Sequence, residues 1–257
     1  MSEEKTIEIT AENKMGTMPI RKLLVSMAWP AVLSMTINAL YNVVDSIFVA
    51  QLSEDALTAV SIVNPVQMLI IALSVGSGVG INSLIARKLG AGRREEADQA
   101  ASTGVRIGFM NYLVFLAAGL LLTAPFVGTY AEKGTSIYDS ACVYMFIVCV
   151  GSVFLNIQVV LEKILQSTGN MIAPMICGLV GTVVNIALDP ILIFGLVGMP
   201  ELGVAGAAIA TVTGQLCGMC IGMYIIIRGE HLVTIKIKGF RLKWNTVIDI
   251  YKVGLPS

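Results

Sequence analysis

Six long apolar runs dominate this sequence of 257 residues and restrict the folds open to it. They cover residues 23–50, 57–86, 100–127, 137–161, 171–197 and 204–227. A helix needs about 20 apolar residues to cross a bilayer, so every run is long enough to span one. Only 13% of the residues are charged, which is about half the fraction usual in a soluble domain. The sequence therefore predicts an all-α, polytopic membrane protein with six transmembrane helices, and the lipid bilayer is its first expected partner.

The basic residues predict the orientation of these spans. They cluster before the first run, in the second and fourth connections and after the sixth run: Arg21, Lys22, Arg87, Lys88, Arg93, Arg94, Lys163 and Arg228. The first, third and fifth connections carry mainly acidic residues, with Lys133 as their one basic member. Because positive charge is retained on the cytoplasmic side, we expect a multi-pass protein of the cell membrane with a cytoplasmic N-terminus. The formal net charge of zero indicates no nucleic-acid partner.

The residues after the sixth run are similar to the opening of the first. When Pro256 is aligned with Pro30, apolar and small residues coincide around an early proline. We therefore divide the chain into a cytoplasmic tail (1–20), a six-helix lobe (21–228) and a linker with the start of a seventh helix (229–257). A repeat with an even number of spans has parallel topology, which predicts one lobe of a twelve-helix, parallel-repeat transporter. A complete six-span protein with an amphipathic tail remains the alternative.

Two aspartates interrupt apolar runs that cross the membrane in the same direction. Asp45 lies in the first run and Asp189 in the fifth, each five to eight residues before the predicted outer boundary. That spacing places both carboxylates about 10 Å below the boundary at 1.5 Å per residue. Ionisable residues inside spans are energetically unfavourable and are functional candidates by default. In the alternative interpretation both runs end early, and the aspartates are interfacial.

The fifth run also contains an amide and a proline beside its aspartate. Asn185 precedes Asp189 by four residues, so both side chains project from one helix face. Two carboxylates and an amide oxygen are hard ligands of the kind that suits Na⁺, and two close carboxylates could instead hold a proton. Pro190 frees the carbonyl of Ile186 and bends the helix. We therefore predict a Na⁺ or H⁺ site at Asp45, Asn185 and Asp189, with no other cofactor.

Further polar residues within the spans are candidates for a substrate cavity. Asn38, Tyr41 and Asn42 lie in the first run and Gln158 in the fourth. Pro30, early in the first run, is a candidate hinge together with Pro190 because proline kinks a helix.

Four stretches of this sequence resemble the multidrug and toxic compound extrusion (MATE) family. They are WP at 29–30 with VDSIFV at 44–49, LIARKLGAG at 84–92, NIALDP at 185–190 with IFG at 193–195, and PELGVAGAA at 200–208 with AT at 210–211. They occur in the family's order over most of the chain.

The resemblance implies a twelve-helix exporter of two six-helix lobes, in which a Na⁺ or H⁺ gradient drives efflux of organic cations by alternating access. Asp45, Asn185 and Asp189 match the acidic and amide positions of an N-lobe cation site. Thr211 matches a hydroxyl ligand on the sixth helix, and Pro30 matches a proline associated with bending of the first. The implied partners are a small organic cation and a second, C-terminal six-helix lobe.

Two other functions remain open at this point. A flippase for lipid-linked precursors shares the lobe architecture within the same superfamily, although it should need a basic central groove. An intramembrane aspartyl protease would also use two aspartates, but their place in the outer third, beside Pro190, fits ion binding better. We therefore expect transport and no enzymatic activity.

Overall fold

The computed structural model describes residues 18–228, 233–235, 244–254 and 256. In this part of the chain the α-helices are α1 (Ile20–Leu52), α2 (Glu54–Gly90), α3 (Arg94–Val127), α4 (Ser136–Ser167), α5 (Ile172–Ile193), α6 (Val204–Arg228) and α7 (Trp244–Gly254). The first six are long and apolar enough to cross a membrane. This confirms the predicted all-α class with six spans. The predicted N-terminal tail lies outside the described residues except for its last three. Residues 229–232, 236–243, 255 and 257 of the predicted C-terminal segment also lie outside them.

The helices extend beyond the apolar runs at several of their ends. α3 begins at Arg94, six residues before the predicted run, and carries Glu95 and Glu96 in its first turn. Acidic side chains stabilise a helix N-terminus by interacting with its dipole. α2 begins after Ser53, whose hydroxyl accepts a hydrogen bond from the backbone N–H of Ala56 at 3.0 Å. The helices therefore extend beyond the predicted apolar runs through polar residues at their ends.

The predicted end of the fifth run is wrong. α5 ends at Ile193, whereas the apolar run continues to residue 197. Gly195 adopts a left-handed conformation with φ of 69°, which stops the helix. The chain then folds back, and the backbone N–H of Leu202 donates to the carbonyl of Leu192 at 3.0 Å. Hydropathy did not reveal this end because apolar residues continue through the turn.

The six spans are unequally packed. α4 is central and contacts α2, α3 and α6, and it buries residues along its whole length, from Ala141 to Ser167. α1 is peripheral: it packs mainly against α5, and Pro30 and Val49 are its only buried residues. The helix that carries Asp45 is therefore held mainly by α5, the helix that carries Asp189.

The seventh helix, α7, packs against α2. Its backbone approaches α2 at two glycines, with the carbonyl of Ile250 against Gly80 and the carbonyl of Gly76 against Gly254. The hydroxyl of Tyr251 also donates to Asn111 Oδ1 on α3 at 3.1 Å. The structure thus has a helix, beginning at Trp244, within the segment where the sequence predicts the start of a seventh.

Candidate functional site

The structure gathers polar side chains from α1, α5 and α6 at one place in the bundle. Asp45 and Asp189 lie close enough for their carboxylates to interact electrostatically. Asn185 lies one turn before Asp189 on α5, and its Nδ2 donates to Thr211 Oγ1 on α6 at 3.3 Å. All four residues predicted to bind a cation are therefore brought together. We call Asp45, Asn185, Asp189 and Thr211 the acidic cluster.

Four oxygens of this cluster are buried without donors. Asp45 Oδ1, Asn185 Oδ1 and both carboxylate oxygens of Asp189 have no hydrogen-bond partner among the described residues. Asp189 is completely buried, at 0% exposure, and Asn185 is 2% exposed. A buried carboxylate without a donor is strongly unfavourable unless a cation or a proton neutralises it. The cluster therefore presents four acceptor oxygens that need a positively charged ligand.

Thr211 connects the cluster to α1. Its hydroxyl oxygen lies 3.4 Å from the hydroxyl of Tyr41, within hydrogen-bond distance. Asn185 thus uses its amide nitrogen on Thr211 and keeps its oxygen available. The hydroxyl of Tyr41 therefore lies beside this cluster, and its predicted role in a substrate cavity stays a prediction.

Two glycines allow α5 and α6 to approach closely beside the cluster. A Cβ on Gly181 would lie 2.9 Å from the carbonyl oxygen of Gly214, and a Cβ on Gly214 would lie 3.1 Å from the Cβ of Asn185. Small residues at helix contacts let membrane helices approach to this distance. The contact brings Asn185 within hydrogen-bond distance of Thr211.

Sequence reasoning did not single out Tyr144 on α4. This residue is 2% exposed and lies within electrostatic range of Asp45 and Asp189. An aromatic residue in an apolar run has the composition of ordinary packing, so no signal in the sequence separates it from its neighbours.

The remaining predicted cavity residues have no hydrogen bond to this cluster among the described residues. Asn38 and Asn42 are exposed on α1, where Asn42 Nδ2 donates to the backbone carbonyl of Asn38 at 2.9 Å. Gln158 packs against Gly218 at the α4–α6 contact and donates to Glu162 Oε1 at 2.9 Å. Their role in a substrate cavity stays a prediction.

The two predicted hinge prolines lie within helices. α1 is continuous through Pro30, which is buried. Pro190 lies in the last turn of α5, and its carbonyl accepts from the backbone N–H of Phe194 at 3.3 Å. Bending at either residue stays a prediction.

Comparisons with curated proteins identify transporters as relatives. The chain is 27% identical over 238 residues to the FAD transporter of Shewanella oneidensis, covering 90% of this chain and 52% of that protein. It is 29% identical over 239 residues to the probable multidrug resistance protein NorM of Thermotoga maritima, covering 93% and 51%. The chain thus spans about half the length of the curated relatives it matches.

Solved structures of transporters share the fold. An outward-facing multidrug resistance MATE family transporter of the MOP superfamily superposes with a TM-score of 0.84 at 30% identity, over 91% of this chain and 51% of that one. A MOP superfamily transporter from Pyrococcus furiosus, for which reverse polarity of the binding pocket suggests a different function, superposes with a TM-score of 0.78 at 29% identity over the same shares. The six-helix lobe thus matches about half of a MATE transporter.

The family model named MatE matches residues 30–191. This stretch runs from the proline of α1 into the last turn of α5 and includes both aspartates and Asn185. The match covers more than half of the chain, and the solved MATE transporters have the same arrangement of helices. The chain is therefore a member of the MatE family of membrane transporters.

Proposed function

We propose that this chain is the N-terminal half of a cation-coupled antiporter, in which Asp45, Asn185 and Asp189 bind the coupling cation. The observation that carries the proposal is the group of four buried acceptor oxygens without donors. Na⁺ or H⁺ satisfies these oxygens, because both supply the positive charge that two buried carboxylates require. Thr211 holds Asn185 in place and is itself close enough to be a further oxygen ligand.

The packing of α1 supports a coupling of cation binding to helix movement. A cation between Asp45 and Asp189 attracts α1 to α5, and its loss leaves two like charges that repel each other. Few contacts other than those with α5 hold α1, so α1 is the element that moves. Pro30 and Pro190 are the positions where the helices bend, because each lacks a backbone donor.

The cargo in this proposal is a small organic cation, exported by alternating access between this lobe and a second six-helix lobe. Its support is the multidrug resistance function printed for relatives such as NorM. The FAD transporter relative supports an anionic dinucleotide as a second candidate cargo. The cytoplasmic N-terminus and a location in the cell membrane belong to the same proposal and rest on the distribution of basic residues.

Transport by the full-length protein in proteoliposomes tests the proposal. A Na⁺ gradient and a H⁺ gradient are imposed separately, with ethidium as the organic cation and FAD as the anionic alternative. Asp45→Asn and Asp189→Asn are expected to reduce gradient-driven transport to the level of empty liposomes. Glu132→Gln, which removes an exposed acid in the α3–α4 connection, is the matched control and should transport normally.

Normal gradient-driven transport by the double Asp45→Asn, Asp189→Asn variant would contradict the assigned site. Transport of FAD in place of ethidium would reassign the cargo and leave the site unchanged. Reconstitution of each variant is verified by the amount of protein recovered in the liposomes, so a failure of insertion is distinguished from a loss of coupling.

A further inference from the structure

A basic pocket lies away from the acidic cluster, between the C-terminal end of α2 and α7. It has a volume of about 360 Å³ and is lined by the charged side chains of Arg87, Lys88, Arg93, Asp249 and Lys252. Four of these five residues are cationic. They come from α2, from the α2–α3 connection and from α7, so the pocket is formed by separate parts of the chain.

The positive charge of the pocket is only partly compensated. Lys88 Nζ contacts Glu96 Oε2 at 2.5 Å, and Arg93 lies 3.6 Å from the other oxygen of the same carboxylate. Asp249 is the acid of the lining. Counting Glu96 with the lining, four positive and two negative charges leave an excess of two. The pocket therefore suits an anion.

Close helix packing fixes the two walls of the pocket relative to each other. The carbonyl of Ile250 lies against Gly80, one turn before Leu84 in the pocket wall. Tyr251 donates to Asn111 on α3 at 3.1 Å. Because this packing anchors α7, it holds Lys252 in the same lining as Arg87.

The position of the pocket indicates the nature of the anion. Leu84 and Ile85, which are 4% and 0% exposed, end the apolar part of α2, and Arg87 and Lys88 follow in its last turn. The pocket is thus at the junction of hydrocarbon and water, where phospholipid headgroups lie. Basic clusters immediately beside a span attract anionic lipids by about 1 kcal/mol per residue.

We propose that this pocket binds the phosphate headgroup of one anionic phospholipid, which bridges α2 and α7. Arg87 and Lys252 contact the phosphate from opposite walls, and Lys88 and Arg93 add to the attraction. The basic last turn of α2 also offsets the negative end of the helix dipole, which would otherwise repel an anion. The lipid links the six-helix bundle to the helix that follows it, whatever the transporter carries.

Native mass spectrometry of the purified full-length protein tests this site. The protein is titrated with phosphatidylglycerol, with phosphatidylethanolamine and with inorganic phosphate. One phosphatidylglycerol should bind more tightly than the others. Arg87→Gln and Lys252→Gln should each weaken that binding by about fivefold. Arg228→Gln is the matched control, since Arg228 ends α6 outside the pocket and its removal should leave the affinity unchanged.

A variant that is expected to bind the lipid more tightly distinguishes a lost contact from misfolding. Asp249→Asn removes the acid of the lining and should strengthen phosphatidylglycerol binding, which a damaged protein would not do. Equal binding of both lipids would overturn the proposal, as would equal weakening by Arg228→Gln. Competition by inorganic phosphate at the same concentrations would also overturn it, because the pocket would then recognise a soluble anion.

Discussion

Thr211 is the residue at which three helices of the acidic cluster meet. Its hydroxyl lies within hydrogen-bond distance of Tyr41 on α1 and accepts from Asn185 on α5. Because Asn185 uses its nitrogen on Thr211, its oxygen is free for a cation. One hydroxyl therefore orients the side chain of Asn185 and is itself part of the proposed cation site.

Thr211→Val should weaken binding of the coupling cation by about threefold. This factor corresponds to the loss of one interhelical hydrogen bond of about 0.6 kcal/mol. Thr211→Ser retains the hydroxyl and should bind almost normally. Thr213→Val is the matched control two residues later, because Thr213 is only partly buried and its hydroxyl donates to the carbonyl of Ile209 in its own helix. Isothermal titration with Na⁺ measures the affinities. Equal effects of both valine variants would contradict the role of Thr211.

The acidic cluster was partly predictable from the sequence, for a physical reason. Asp45, Asn185 and Asp189 are unfavourable in an apolar run, so their presence there is a signal by itself. Tyr144 gives no such signal, because its ring is as suited to a packed core as to a site. Thr211 was identified through the family resemblance, since threonine is common in spans and its spacing indicates no partner.

At the scale of helices, the cluster depends on how closely α5 and α6 approach. Gly181 and Gly214 face each other there, and each leaves too little room for a side chain on the other. In membranes such contacts contribute van der Waals packing where no hydrophobic driving force exists between helices. The same contact keeps Asn185 near Thr211, so one interface serves both the stability of the bundle and the proposed cation site.

Gly214→Ala should therefore lower both stability and cation affinity. Its Cβ would lie 3.1 Å from the Cβ of Asn185 and closer still to the carbonyl of Gly181, and overpacking of this kind destabilises by about 1–3 kcal/mol. Thermal unfolding of the purified protein should show a lower Tm, and Na⁺ titration a weaker affinity. Gly90→Ala is the control, since a Cβ there meets nothing within 4 Å. An unchanged Tm for Gly214→Ala would contradict the close contact.

The attachment of α7 is a second contact that glycine makes possible. A Cβ on Gly80 would overlap the carbonyl of Ile250, so Gly80→Leu should displace α7 from α2. Spin labels on Arg93→Cys and Lys252→Cys, both exposed positions, report the distance across the basic pocket in a background without the native cysteines. Pulsed electron resonance should give a longer, broader distance distribution for Gly80→Leu and an unchanged one for Gly90→Leu. An unchanged distribution in both would show that the contact does not hold α7.

The positions of the helices were predictable, but not all of their ends. Apolar length identifies a span because the bilayer requires it. The end of α5 is set instead by the left-handed turn at Gly195 and by the return of the chain to the carbonyls of Leu192 and Ile193. These features depend on backbone conformation, which hydropathy does not report.

At the scale of the whole molecule, the two ends of the bundle differ in their charged residues. The C-terminal end of α2 and the N-terminal end of α3 carry Arg87, Lys88, Arg93 and Arg94, whereas the α3–α4 connection at the other end carries Glu132 beside Lys133. Charge of this kind determines membrane orientation, because basic connections are retained in the cytoplasm. In the proposed orientation the lipid pocket lies in the cytoplasmic leaflet and the acidic cluster lies nearer the opposite face.

Cysteine labelling in intact cells tests this orientation. In a background without native cysteines, Lys133→Cys should react with a membrane-impermeant maleimide added outside, because Lys133 is exposed and its connection lies on the outer face in the proposed orientation. Arg93→Cys is equally exposed in the structure, and it should react only after the membrane is permeabilised. Each variant is the control for the other, since both should react fully once the membrane is open. Labelling of Arg93→Cys before permeabilisation, with protection of Lys133→Cys, would invert the bundle and move the lipid pocket to the outer leaflet.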